Sequence, residues 1–255
     1  MSIRSPLISV IMNCYNSDSY LREAIDSVLG QSYENWELIF WDNNSTDKSS
    51  DILCSYNDKR IKYYKAAETS PLYNARNLAL AQCSGDYVGF LDCDDIWLSH
   101  KLEDQVALVD RGFEFVYGAY ATVDANGKKI SDNLKDLISG EITNSLFRLN
   151  PISIGAVLIK KSLLENYRFD SFYNLLGDLD MWVSLSLVCQ IETVNNVVEY
   201  SRQHDSNTSN TLEDQWKTER RYFYRKFLTL SNSINYPWLI LYILKTELLG
   251  LIGRR

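Results

Sequence analysis

Three short clusters rich in Asn, Asp, Ser and Thr each follow an apolar run: Asn13-Cys14-Tyr15-Asn16, Asp42-Asn43-Asn44-Ser45-Thr46-Asp47 and Asp92-Cys93-Asp94-Asp95. The last makes the strongest chemical demand. Three carboxylates within four residues repel one another unless a cation or hydrogen-bond donors compensate. Hard oxygen ligands suit Mg2+ or Mn2+, ions that take one or two protein carboxylates and complete their shell with water and substrate phosphates. The spacing lacks the glycine and distal Glu of an EF-hand loop. Asp95 has a second reading as the cap of the helix that follows, and residues 42–47 taken alone read as turn and cap chemistry. The coincidence of three such clusters at strand ends is more telling than any one of them.

The elements that position these clusters are legible from periodicity. Leu7 to Met12 and Trp36 to Trp41 are short, almost continuous apolar runs that read as buried strands. Between them, Asp18 is placed to cap a helix with Leu21, Ala24, Ile25, Val28 and Leu29 on one face, ended by Gly30. The rhythm repeats with a helix from Asp47 to Tyr56, a strand at Ile61 to Tyr64, a helix from Leu72 to Cys83 and a strand at Tyr87 to Leu91. Such alternation implies a mostly parallel α/β sheet with helices on both faces, whose ligands bind beyond the carboxyl ends of the strands. After Asp95 the pattern is mixed: a helix from Ser99 to Asp110, a strand at Phe113 to Tyr117 and a hairpin through Asn126-Gly127. A helical stretch at Leu134 to Phe147, a strand at Gly155 to Ile159, a helix at Asp178 to Val188 and a strand at Ile191 to Tyr200 complete the body.

The composition, 45% hydrophobic and 23% charged in 255 residues, is that of a globular protein with a sizeable core. An acidic balance of −7 argues against nucleic acid as a partner. The charge is uneven, −12 over residues 1–213 and +5 from Asp214 onward, and 20 of the 33 acidic residues are Asp, a type that favours turns, caps and sites. Five scattered cysteines with no C-x-x-C pair read as reduced thiols of a cytoplasmic protein. No stretch reaches the roughly 18–20 apolar residues of a spanning helix.

On these residues the chain resembles the family 2 glycosyltransferases. Ile8 to Ser49 is similar to the family's N-terminal signature, Asn74-Ala75-Arg76-Asn77 and Gly85-Asp86-Tyr87 to its next segment. Leu91 to Asp95, with Trp97, Lys101, Leu102 and Gln105 behind it, resembles the metal-binding D-x-D motif and its helix. The resemblance implies a GT-A fold and an inverting, metal-dependent transfer from a nucleotide-diphosphate sugar. It places Tyr15 and Asn16 at the nucleobase and Asp42 as acceptor of a hydrogen bond from the base, with uracil or thymine expected. Arg76 would position the nucleotide, Asp92 would contact the ribose or support the site, Asp95 would lie in the donor site, and Asp94 would ligate Mn2+ or Mg2+. Gly177-Asp178-Leu179-Asp180 resembles the family's acidic motif and makes Asp178 the general base, while Arg202-Gln203-His204 resembles a late element that adds His204 to the metal site. Asp178 and Asp180 otherwise read as N-terminal helix acids. Asn13 and Cys14 replace the usual Pro-Thr, Asn43 a common Asp, and Gly177 a Glu.

These readings divide the chain into a catalytic domain, residues 1–210, and a helical region, residues 211–255, with helices at Thr211 to Leu230 and Pro237 to Ile252. That region is expected to pack on the domain or a second subunit, as in a homodimer, or to attach residues 232–255 to the inner face of a membrane. The expected activity is sugar transfer to a hydroxyl of a glycan or lipid-linked acceptor in surface polysaccharide synthesis. A nucleotidyltransferase would want a Gly-rich basic loop after the first strand, which is missing, and a non-catalytic nucleotide-sugar-binding subunit would bind donor without turnover.

Overall fold

A computed structural model describes residues 5–147, 150–205 and 213–230. Its elements run β1 (Ile8–Cys14), α1 (Leu21–Leu29), β2 (Trp36–Asp42), α2 (Ser49–Cys54), β3 (Ile61–Lys65), α3 (Leu72–Leu80) and β4 (Tyr87–Phe90). They continue with β5 (Ile96–Trp97), α4 (Lys101–Val109), β6 (Phe115–Val123), β7 (Lys129–Asp132), α5 (Thr143–Leu146), β8 (Val157–Lys160), α6 (Lys161–Asn166), α7 (Gly177–Ser186), β9 (Ile191–Arg202) and α8 (Glu213–Leu230).

The strands form one sheet in the order β3-β2-β1-β4-β8-β6-β9-β5, with β7 paired to β6. The β1–β2, β2–β3 and β1–β4 pairs are parallel, as the buried β-branched runs require. The chain first walks outward from β1 to β3, then returns to lay β4 on the other side of β1. This reversal makes a topological switch point, where open α/β sheets bind ligands. Beyond β4 the sheet is mixed: β8 is antiparallel to β4 and β6, and β9 is parallel to β6.

Side-chain alternation along β1 explains the two cores. Ile8, Val10 and Met12 face α1 and α4, with Leu21, Ala24, Ile25, Val28, Leu102 and Val106. Ile11 faces the other way, into a larger core that includes Tyr73, Phe90, Phe169, Trp182, Phe223 and Phe227. The helix α8 thus shares the core of the body through Phe223, Tyr224 and Phe227, all buried.

Several expectations are revised. Asp18 does not cap α1; its N–H instead donates to Asp47 Oδ2 (3.0 Å), and Tyr20 holds the cap position without a side-chain bond. The stretch from Leu134 is a 3-10 turn at Leu134–Asp136 and the four-residue α5. Between them Gly140 takes a φ of 88° and pairs with Ile191, which interrupts any helix. The Asn126-Gly127 hairpin forms, with Asp124 Oδ1 accepting the N–H groups of Asn126 and Lys128 at 2.9 Å. Among the described residues no helix is long and apolar enough to cross a membrane. The expected helix at Pro237 to Ile252 and the membrane segment 232–255 lie outside the described residues.

Candidate active site

The loops after β1 and β2 are stitched together side by side. Asn16, in the left-handed region at φ 49°, donates its N–H to Ser45 Oγ (3.1 Å) and accepts the Thr46 N–H at Oδ1 (2.8 Å). Asn tolerates this conformation because its short polar side chain bonds locally. The arrangement leaves the Tyr15 ring 52% exposed above the strand ends. Asp42 is fully buried, with Oδ1 accepting the Ser45 N–H (2.7 Å) and Oδ2 the Tyr63 hydroxyl (2.8 Å). Both oxygens therefore hold the rim, and Tyr63, 39% exposed, turns its hydroxyl inward to Asp42.

Across the switch point, the buried Arg76 of α3 makes the principal junction. Its Nη1 donates to Asp178 Oδ1 (2.7 Å) and its Nη2 to Asp92 Oδ1 (2.9 Å). One guanidinium thus joins the carboxylate at the end of β4 to the carboxylate in the first turn of α7. Charge-assisted pairs of this geometry are strong, and removing one partner would leave a desolvated charge. Burial pushes the Asp178 carboxyl up to about 6; the Arg76 charge pulls it back, the Asp92 charge adds to the rise and a hydrogen bond with Tyr73 opposes it. The side chain still reaches solvent over 22% of its surface.

Asp94 lies on the same loop, and its Oδ2 is 2.9 Å from His204 Nε2. Burial and the neighbouring Asp92 charge raise the Asp94 carboxyl, and the His204 contact moderates the rise. The antiparallel pairing of β5 with β9, Ile96 opposite Tyr200 and Trp97 opposite Glu199, brings His204 over this loop. Arg202 fastens it: its Nε donates to the Asp94 carbonyl (2.9 Å), its Nη1 to the Ala125 carbonyl (3.0 Å) and its Nη2 to Glu23 Oε2 (2.7 Å). The carboxylate and the imidazole, in direct contact, offer one oxygen and one nitrogen donor of the kinds a divalent cation takes. Among the described residues no group of three or more metal-ligating side chains forms.

Asp95 takes a different place from the donor-site role expected of it. Its Oδ1 accepts the Arg202 backbone N–H (2.7 Å) in a buried setting, so it binds β9 rather than facing a ligand, and it does not cap α4, which begins six residues later. Asp180 is likewise internal, accepting the Tyr173 hydroxyl (3.0 Å) and Lys226 Nζ (2.7 Å). Neither Asp178 nor Asp180 caps α7, whose cap position is Leu176. Lys101 and Gln105 are framework: Lys101 Nζ donates to Gln105 Oε1 (2.6 Å) and the Val157 carbonyl (3.1 Å), and burial lowers its pKa to about 7. Two residues were absent from the sequence reading. Tyr73 accepts the Asp178 N–H at its hydroxyl (3.3 Å), and Glu219 accepts three N–H groups ahead of α7. Only the unusual Gly177 hinted at the first.

Residues 9–168 match the model described as Glycosyl transferase family 2. The chain is 32% identical over 194 residues to the UDP-Glc:alpha-D-GlcNAc-diphosphoundecaprenol beta-1,3-glucosyltransferase WfgD of Escherichia coli, covering 74% of this chain and 73% of that protein. Its fold is similar to S. aureus TarS in complex with UDP-GlcNAc, with a TM-score of 0.74 at 20% identity, over 94% of this chain and 72% of that one. It is also similar to the mannosyltransferase PcManGT from Pyrobaculum calidifontis in complex with GDP-Man and Mn2+, with a TM-score of 0.65 at 18% identity, over 95% and 69% of the two chains. These structural likenesses identify the fold as GT-A.

Proposed function

The chain belongs to glycosyl transferase family 2, and from that premise we propose that it is an inverting, metal-dependent transferase using a UDP- or dTDP-sugar. The acceptor in this reading is a hydroxyl of a glycan or lipid-linked glycan in surface polysaccharide synthesis, as the name of the E. coli relative suggests. The observation that carries the reading is the Arg76 bridge between Asp92 and Asp178, which couples the donor end of the sheet to an acid of raised pKa.

Asp178 takes the proton of the acceptor hydroxyl as that oxygen bonds to the anomeric carbon from the face opposite the leaving group. The bond from that carbon to the nucleoside diphosphate breaks, and its electron pair leaves with the diphosphate. Arg76 keeps the Asp178 carboxylate charged and aimed. The Tyr15 ring packs on the base, Asn16 holds the pocket's backbone, and Asp42 acts through Ser45 and Tyr63, the groups its oxygens hold. Asp94 and His204 would hold the cation, which when bound stabilises charge on the departing diphosphate.

A thermal-shift panel of nucleotide sugars with and without Mn2+ tests this, since a ligand at a hundred times its Kd stabilises by about 2.7 kcal/mol. The expected result is a metal-dependent shift with one donor class, abolished by Asp94→Ala and kept by Asp178→Asn. Asp178→Asn is expected to lose about a hundred- to ten-thousandfold in turnover, the usual contribution of a general base. An undiminished shift in Asp94→Ala defeats the metal assignment, and wild-type turnover by Asp178→Asn defeats the base.

A further inference from the structure

The first turn of α7 carries Asp178 but supplies no cap of its own. A helix start leaves four N–H groups without intrahelical partners, and the residue at the cap position, Leu176, has no side chain to answer them. Within the first turn the Asp178 N–H finds its acceptor on α3, in the Tyr73 hydroxyl (3.3 Å), while the segment that leads into the helix is held from α8. Glu219, buried on α8, takes the Asn174 N–H at Oε1 (2.8 Å) and the N–H groups of Leu175 (3.0 Å) and Leu176 (2.9 Å) at Oε2. A single carboxylate, 43 residues away from Leu176 in sequence, thus gathers three consecutive N–H groups at the positive end of the α7 dipole. A second tie from the same helix runs from Lys226 to Asp180 (2.7 Å) and Asp170 (3.3 Å).

We propose that Glu219 is a positioning residue for the transfer reaction, fixing residues 174–176 so that the first turn of α7 presents Asp178 to Arg76 and to the acceptor hydroxyl. The proposal rests on the reading of Asp178 as general base. Its logic is geometric. Asp178 is the second residue of α7, two residues beyond Leu176, so a shift of the loop moves the carboxylate directly. Displacement of a catalytic group by about 1 Å costs on the order of a hundredfold in rate. The donor side of the site is built on other elements, β1, β2, the loop after β4 and the end of β9, and α7 reaches it through Arg76 of α3. Loss of Glu219 should therefore act on kcat and spare donor binding.

The test uses full-length Glu219→Gln and Glu219→Asp with Mn2+ and the donor that gives the largest thermal shift. For Glu219→Gln, kcat for nucleoside diphosphate release should fall 10- to 100-fold while the donor KM stays within twofold. Glu219→Asp, which keeps the charge but draws it back by one methylene, should be intermediate. Hydrogen exchange supplies a readout independent of turnover, because the amides of Asn174, Leu175 and Leu176 should lose protection. Unchanged kcat, retained protection of the three amides, or loss of donor binding together with turnover would each overturn the proposal, the last by making Glu219 a residue of general stability. Asp178→Asn separates the two readings: if it turns over like the wild type, the base assignment fails whatever the exchange at residues 174–176 shows.

Discussion

The chemistry proposed for Asp178 depends on its proton. An exposed Asp titrates near 4, whereas burial raises this one to about 6 against the opposing charge of Arg76. A general base works only as the carboxylate, so the rate should rise as pH climbs through about 6 and level off above it. We expect the acid limb of kcat/KM to lie near pH 6. In Arg76→Lys the positive charge remains but the fork that meets Asp178 and Asp92 is lost, so the carboxylate is less well stabilised and the limb should move to higher pH, with kcat reduced about tenfold or more. A pH–rate profile of both proteins checks this, and a wild-type limb near pH 4 would sink it. Sequence carried Asp178 through its motif, yet it made Gly177 look like a missing Glu. A Cβ at Gly177 would stand 2.6 Å from the Tyr73 ring, so the ring occupies the space and its hydroxyl meets the Asp178 N–H. Nothing in an aromatic residue at helical spacing announces that contact, because it is made between α3 and α7.

At the level of elements, the end of the sheet remote from the site is held by one buried acid. Glu37 of β2 accepts the Ser9 hydroxyl of β1 (2.6 Å), Lys62 of β3 and both the N–H (2.7 Å) and hydroxyl (2.8 Å) of Ser84 ahead of β4. Burial favours its neutral form, but the bonds from Lys62, Ser9 and Ser84 outweigh this and lower its pKa to about 2. A carboxyl depressed on folding adds stability that is complete above its unfolded value of about 4.5 and is lost as pH falls toward 2. Glu37→Gln should therefore cost about 2 kcal/mol at pH 7, the order of a charge-assisted hydrogen bond. The difference from wild type should shrink between pH 4.5 and 2. Denaturant melts at several pH values measure it, and a penalty that does not vary with pH would refute the account. The parallel elements themselves were legible, because β1 and β2 are mostly apolar and α1 buries Leu21, Ala24, Ile25 and Val28 on one face. The two-residue β5 was not, since its pairing is set by β9 more than a hundred residues later, and Gly140 broke the expected helix through a bridge no local pattern encodes.

For the molecule as a whole, composition and charge pointed to an acidic body with a separate basic tail, and the expected division fell at residue 210. Local charge could separate the two because it is read along the chain, whereas packing is not. The helix α8 places Phe223, Tyr224 and Phe227 in the core beside Phe147 and Trp182, and Glu219 and Lys226 at the base of α7. Large buried side chains contribute about 1.5–3 kcal/mol each, so three of them approach the 5–15 kcal/mol that stabilises a whole domain. Cutting the chain after Thr211 would also leave the N–H groups of residues 174–176 without the acceptor they now have. We therefore expect a chain ending there to lose its cooperative thermal transition, expose apolar surface to a hydrophobic dye and show no donor-induced shift, even though every residue assigned to the donor and the base precedes the cut. A sharp melt and an intact Mn2+-dependent shift in that shortened chain would show that residues 1–211 fold alone and that α8 is a separate appendage. The same result would remove the scaffold on which the positioning role of Glu219 depends.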